Sequence, residues 1–125
     1  MSQNKPIILL DPYPRTMDLL FSKENLKYLK KNFKLITAPN KNKNNFYEKN
    51  LPKADYIFGQ PNLPSSLISK STKLKAIFNV ESNFMDNMDY DYCFRKGIHV
   101  LATSPVFAQP VAEMAMGLTL SIARS

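Results

Sequence analysis

Apolar residues fall along this chain in short runs separated by polar and proline-containing intervals, and the runs alternate between strand-like and helix-like spacing. Pro6–Leu10 is an unbroken apolar run closed by Asp11-Pro12, the pattern of a buried strand that stops at a turn. From the N-cap residue Ser22, Leu26, Leu29 and Phe33 recur at helical spacing with lysines on the other side, which predicts an amphipathic helix ending near Asn32. Lys34–Thr37 reads as a second strand, Pro39–Asn45 as a polar loop and Phe46–Leu51 as a short helix. Tyr56-Ile57-Phe58 before Gly59 predicts a third strand, and Pro64–Ser69 a short helix opened by proline in its first turn. Leu74–Val80 is apolar at almost every position, as expected of a fourth strand covered on both faces. Tyr90–Lys96 forms a helix closed by Gly97, followed by a fifth strand at Ile98–Leu101. After a loop through Pro105, Gln109–Arg124 is the last helix, with Pro110 near its start and Glu113 in its first turns.

This alternation implies right-handed crossovers, and therefore an α/β fold with a parallel sheet of about five strands wound on both sides by helices. Ligands in such sheets bind beyond the C-terminal strand ends, which directs attention to the loops after Leu10, Phe58, Val80 and Leu101.

Composition narrows the function more by exclusion than by assignment. A chain of 125 residues with 44% hydrophobic and 22% charged residues suits one compact domain. The net charge of +7 raises nucleic-acid binding, but lysine carries the charge and Arg15, Arg95 and Arg124 are scattered. Lys23, Lys27, Lys30, Lys31 and Lys34 lie along one predicted helix and its end, and no grouped arginines or aromatic platforms accompany them, so no nucleic acid is expected as a partner. The lone Cys93 fits a reducing compartment, and the N-terminal apolar run is too short for an export signal, so the expected location is cytoplasmic. The weakly charged stretch from Val100 to Ala123 is interrupted by Pro105 and Pro110 and carries Glu113, so no membrane association is expected.

The candidate chemistry is sparse. Gly59, Gly97 and Gly117 are too far apart for a phosphate-binding loop, so a dinucleotide site has to lie on another domain. A phospho-accepting reading finds Asp11 but no aspartate at the end of the third strand. His99 and Cys93 could be written as a dyad, yet no third group orients them, and a packed thiol beside an incidental histidine is the simpler reading. Among Asp86, Asp89 and Asp91, one caps the helix after Met88. No metal site is expected. The loop Glu81-Ser82-Asn83-Phe84 stands apart, because it follows the most buried strand, where backbone N–H groups can face a ligand.

From about Lys53 onward the sequence resembles the N-terminal, substrate-binding half of D-isomer-specific 2-hydroxyacid dehydrogenases. The resemblance rests on Ala54-Asp55, Leu74-Lys75-Ala76-Ile77, Asp86-Asn87-Met88-Asp89, Arg95-Lys96-Gly97-Ile98 with Val100, and Val111-Ala112-Glu113 leading to Ala123-Arg124, in that order and spacing. It implies a flavodoxin-like domain over residues 1–108 and a connector helix over 109–125, leading to a Rossmann NAD domain absent from this chain. It further implies NAD or NADP as cofactor, a small 2-hydroxy or 2-oxo acid as substrate, and a homodimer in the intact enzyme. The family's catalytic histidine, its acidic partner and its substrate-holding arginine all lie downstream, so the chain is expected to be inactive alone and His99 takes no part.

Within the chain, the resemblance assigns substrate binding to Glu81, Ser82, Asn83 and Phe84, with Val106 and Phe107 walling the pocket from the loop after the fifth strand. Ser82 also matches a position that touches the nicotinamide end of the cofactor. Glu81 and Asn83 stand where the family has glycines whose amides bind the substrate carboxylate, and Met85 is a one-residue insertion. An inward carboxylate at Glu81 would repel an anionic substrate, so either its side chain turns away or the substrate is unusual. The rival expectation is a stand-alone module that binds a small carboxylate without catalysis.

Overall fold

The computed structural model describes residues 4–81 and 83–125. Its strands are β1 (Ile7–Asp11), β2 (Lys34–Thr37), β3 (Tyr56–Gly59), β4 (Ala76–Phe78) and β5 (His99–Leu101), all paired in parallel in the order β2-β1-β3-β4-β5. This is the flavodoxin-like order, whose direction of winding switches beside β1. The helices are α1 (Met17–Leu20), α2 (Lys23–Asn32), α3 (Lys43–Asn50), α4 (Ser65–Ile68), α5 (Tyr90–Arg95) and α6 (Ser104–Ala123), with a 3-10 turn at Leu51–Lys53.

Register and side-chain alternation sort the sheet into two faces. Leu9, Ile57, Ile77 and Val100 form a continuous row, fully or almost fully buried under Tyr47 and Leu51, Leu67 and Ile68, and Cys93. Helices α3, α4 and α5 therefore seal this face, where the main core lies. The opposite face presents Leu10, Phe58, Phe78 and Leu101 in one row, with Ile8, Tyr56, Ala76 and His99 behind it. There α1 and α2 supply Phe21, Leu29 and Phe33, leaving an apolar groove of about 380 Å³ against Ile8, Leu10, Tyr56, Phe58 and Phe78. Phe58 sits between Phe21 and Phe78, with ring centroids 4.9 and 6.4 Å away.

The expectation that β4 is covered on both faces is corrected here. Phe78 is 36% and Leu101 47% exposed, because the helix that follows β5 does not fold back across the sheet. Every residue of α6 is exposed, Val111, Met114, Ala115, Leu118 and Ile122 among them. The helix also begins at Ser104 rather than Gln109, so Pro105 lies in its first turn and Pro110 in its interior. By length and composition α6 could cross a membrane, and it is uncovered within this chain.

Side-chain caps set two of the helix starts. The Ser22 side chain accepts a hydrogen bond from the Asn25 N–H to start α2, and Asp89 accepts one from the Tyr92 N–H to start α5. Asp89 is thus the capping aspartate of the 86–91 cluster, and no group of three or more potential metal ligands occurs among the described residues. Cys93 is fully buried on the sealed face, where burial pushes its thiol above the usual range, whereas His99 is exposed on the open face. The two cannot form a dyad.

Candidate functional site

The C-terminal ends of β1, β3 and β4 carry polar residues where their strands carry apolar ones. Continuing the sealed row one step gives Asp11, Gly59 and Asn79. Asp11 is 4% exposed and would be costly without partners, yet its carboxylate accepts from Lys43 Nζ at 2.6 Å and from the Tyr47 hydroxyl at 2.9 Å. Burial, and next the Asp11 charge and hydrogen bond, push the Tyr47 phenol far above its ordinary range, so it remains a neutral donor. Lys43 also lies 5.3 Å from the centre of the Tyr13 ring. Two residues that open and continue α3 are thereby tied to the end of β1.

Gly59 makes this closeness feasible. Its φ of +148° is a conformation that side-chain-bearing residues rarely adopt, and a Cβ placed on it would lie 2.2 Å from the Asp11 carbonyl oxygen. Beside it, Asn79 is 2% exposed and its side-chain amide has no protein hydrogen-bond partner among the described residues. Such a group is normally paired, which marks this strand end as a place where apolar packing is not the whole purpose.

The loop after β4 is strapped at both ends. At its start the Gln60 side chain accepts from the Glu81 N–H at 2.9 Å and donates to the Asn83 carbonyl at 3.0 Å. At its far end the Asn87 side chain donates to the Pro61 carbonyl, and the Leu63 N–H donates to the Asn87 carbonyl at 2.7 Å. The Tyr90 hydroxyl holds the middle, through the Met85 carbonyl and Asn87 Oδ1.

The expected site residues fall as follows. Glu81 is half-buried and turns toward Arg15 of the β1–α1 loop, with Arg15 Nε to Glu81 Oε1 at 3.1 Å and Arg15 Nη2 to Oε2 at 3.3 Å. Asn83 is exposed and engaged through its backbone carbonyl. Phe84 is 56% exposed and stands edge-on to Tyr90, with centroids 5.3 Å apart. Ser82 lies outside the described residues. Val106 and Phe107 are in the first turns of α6 rather than in a loop, at 73% and 50% exposure, so they wall nothing within this chain. Arg15, Gln60, Lys43 and Tyr47 complete the edge, and sequence reasoning did not single them out. Arg15 and Gln60 carried one advance signal, their position after a strand end, whereas Lys43 and Tyr47 carried none, since the pairings span 21 to 66 residues.

Comparison with known proteins fits this arrangement. The model of the D-isomer specific 2-hydroxyacid dehydrogenase catalytic domain matches residues 15–122. The chain belongs to this family. Among solved structures, a phosphoglycerate oxidoreductase from Rhizobium etli is 39% identical with a TM-score of 0.78, over 96% of this chain and 37% of its own. An NAD-bound 3-phosphoglycerate dehydrogenase from Entamoeba histolytica shares the fold at 19% identity and a TM-score of 0.68, over 92% of this chain and 38% of its own. A D-lactate dehydrogenase from Aquifex aeolicus, complexed with NAD and lactic acid, aligns at 25% identity and a TM-score of 0.55, over 92% of this chain and 33% of its own. No curated protein matches the chain. This 2-hydroxyacid dehydrogenase domain thus spans about a third of the length of the structures it matches, and within it the loop after β4 occupies the strand-end position where α/β sheets hold ligands.

Proposed function

We propose that this chain is the substrate-binding portion of an NAD(P)-dependent oxidoreductase that interconverts 2-hydroxy and 2-oxo acids, and that it acts only together with a dinucleotide-binding domain. The observation that carries this reading is the uncovered α6. The chain exposes 8977 Å², about 2,200 Å² more than the roughly 6,800 Å² expected of a folded monomer of 14.3 kDa. That excess is the size of an obligate interface. Residues 1–108 form the substrate domain in this reading, and 109–125 belong to the helix that docks on the partner domain. The same observation disfavours a stand-alone carboxylate-binding module, whose helix after β5 would be expected to cover its own sheet.

The dinucleotide does not fit this chain. Its three glycines are isolated, and none opens a helix in the way a phosphate-binding turn does. When bound on its own domain, NAD(P) supplies or accepts the hydride. In this reading the present residues orient the acid: the loop after β4, tied by Gln60 through Glu81 and Asn83 and by Asn87 to Pro61, forms one wall of an interdomain cleft, and Val106 and Phe107 become pocket residues only once the partner domain packs on α6. Protein rather than lipid covers α6, consistent with a cytoplasmic enzyme.

The test is an absorbance assay of the full-length protein with NADH or NADPH and a panel of 2-oxo acids, beside the 125-residue chain. Cofactor oxidation by the full-length protein and none by the chain is the expected result. Full-length protein that oxidises neither cofactor with any acid, combined with calorimetric binding of 2-oxo acids to the chain alone, overturns the reading in favour of a binding module.

A further inference from the structure

The two cations at the C-terminal edge of the sheet are neutralised in different ways. Lys43 is locked: its partner Asp11 is 5% exposed at the side chain and is held by the Tyr47 hydroxyl as well. Arg15 is not. Its side chain is 49% and that of Glu81 29% exposed, and among the described residues the two side chains are anchored by their two mutual contacts alone. Those contacts run in parallel from Nε and Nη2 to the two carboxylate oxygens, which is how a guanidinium receives any free carboxylate. The Glu81 N–H, in contrast, is already committed to Gln60 Oε1 and is unavailable to an incoming anion.

We propose that Glu81 is an internal stand-in for the substrate's carboxylate. An anionic 2-oxo or 2-hydroxy acid binds by displacing Glu81 from Arg15 and taking its place on the guanidinium. This rests on the function proposed above and assigns Arg15 as a substrate-binding residue and Glu81 as its built-in competitor. No bond is made or broken; one carboxylate replaces another. An exposed ion pair of this kind costs a competing ligand no more than roughly fivefold in affinity, so displacement is within reach of an ordinary substrate. The released Glu81 then disfavours acids with a second negative group on that side.

The experiment measures KM for pyruvate in the full-length protein carrying E81Q, R15Q, or both. Removing the competitor lowers KM about three- to fivefold, removing the anchor raises it about tenfold, and the double variant follows R15Q. A mere strap between the β1–α1 and β4–α5 loops would instead raise KM in both single variants. That result, or an R15Q protein with unchanged KM, overturns the proposal while leaving the functional reading intact. If the full-length protein reduces no 2-oxo acid, the functional reading has failed, and the proposal is decided by the Arg15 Nε–H resonance during titration with acetate. Saturation at lower acetate in E81Q than in the parent protein supports it, and equal or no saturation refutes it.

Discussion

Gly59→Ala should be among the most damaging single-methyl additions this domain can suffer. The new Cβ would stand 2.2 Å from the Asp11 carbonyl oxygen and 2.8 Å from its carbonyl carbon, both backbone atoms of the neighbouring inner strand β1, so no rotamer change relieves the contact. Relief requires β1 and β3 to part by about 1 Å, since ordinary contact begins near 3.4 Å, and that movement strains the Asp11 ties to Lys43 and Tyr47. Holding alanine at a φ of +148° costs about 1–3 kcal/mol and the overpacking about as much again, giving roughly 4 kcal/mol in total. A domain of this size has about 5–15 kcal/mol to lose, so the thermal midpoint should fall by roughly 15 °C. Gly97→Ala is the control, because its φ of +72° is also unfavourable but nothing lies within 4 Å of the added methyl; about 1 kcal/mol is expected. Urea denaturation of both variants decides the matter. A Gly59→Ala midpoint equal to that of Gly97→Ala would mean that the strand ends yield freely and that the edge is not a fixed platform.

The remaining predictions concern the charges and the uncovered helix. Tyr47→Phe removes a buried donor to Asp11 and should lower stability by about 1–3 kcal/mol in urea; an unchanged midpoint would show that Lys43 alone satisfies the carboxylate. Burial raises the Asp55 pKa, but the Ile7 N–H, Lys73 and Lys75 outweigh it and hold the carboxyl below its usual range. Its stabilising contribution is therefore complete above the unfolded value of about 4 and is lost as pH falls through the lower folded value. Asp55→Asn should accordingly lower stability at pH 7 by about 1–2 kcal/mol and flatten the acid limb of the profile, which a pH series of melting curves would reveal. Leu118→Lys, on a residue 59% exposed, should leave the melting temperature of the 125-residue chain within a degree or two but lower that of the full-length protein. Equal effects in both would mean that α6 has no partner.

Most strands were legible because they are short apolar runs with proline, glycine or aspartate close to one end, and β4 because Leu74–Val80 is largely apolar, signals that act within a few residues. Helix α2 was legible for the same reason, through Ser22 and the recurrence of Leu26 and Leu29. Helix α1 was not, since one turn over Met17–Leu20 offers no periodic stripe. Helix α3 starts at Lys43, three residues before the expected Phe46, because Asn42 adopts a left-handed conformation and Lys43 is held from across the fold by Asp11. Pro105 marks a loop and a helix start alike, since proline is equally at home in the first helical turn, which it occupies here. The loop after β4 could be placed by topology, but the fate of Glu81 could not: its partner Arg15 is 66 residues away and no local pattern announces the pair.

The uncovered α6 also has a consequence for temperature. Covering the exposed apolar side chains of α6, Val111, Met114, Leu118 and Ile122 among them, lowers the heat capacity by about 0.45 cal/mol per kelvin for each Å² hidden. Whatever seals α6 therefore grips less firmly in the cold. On the function proposed above, refrigeration would loosen the hold between this domain and its partner rather than preserve it.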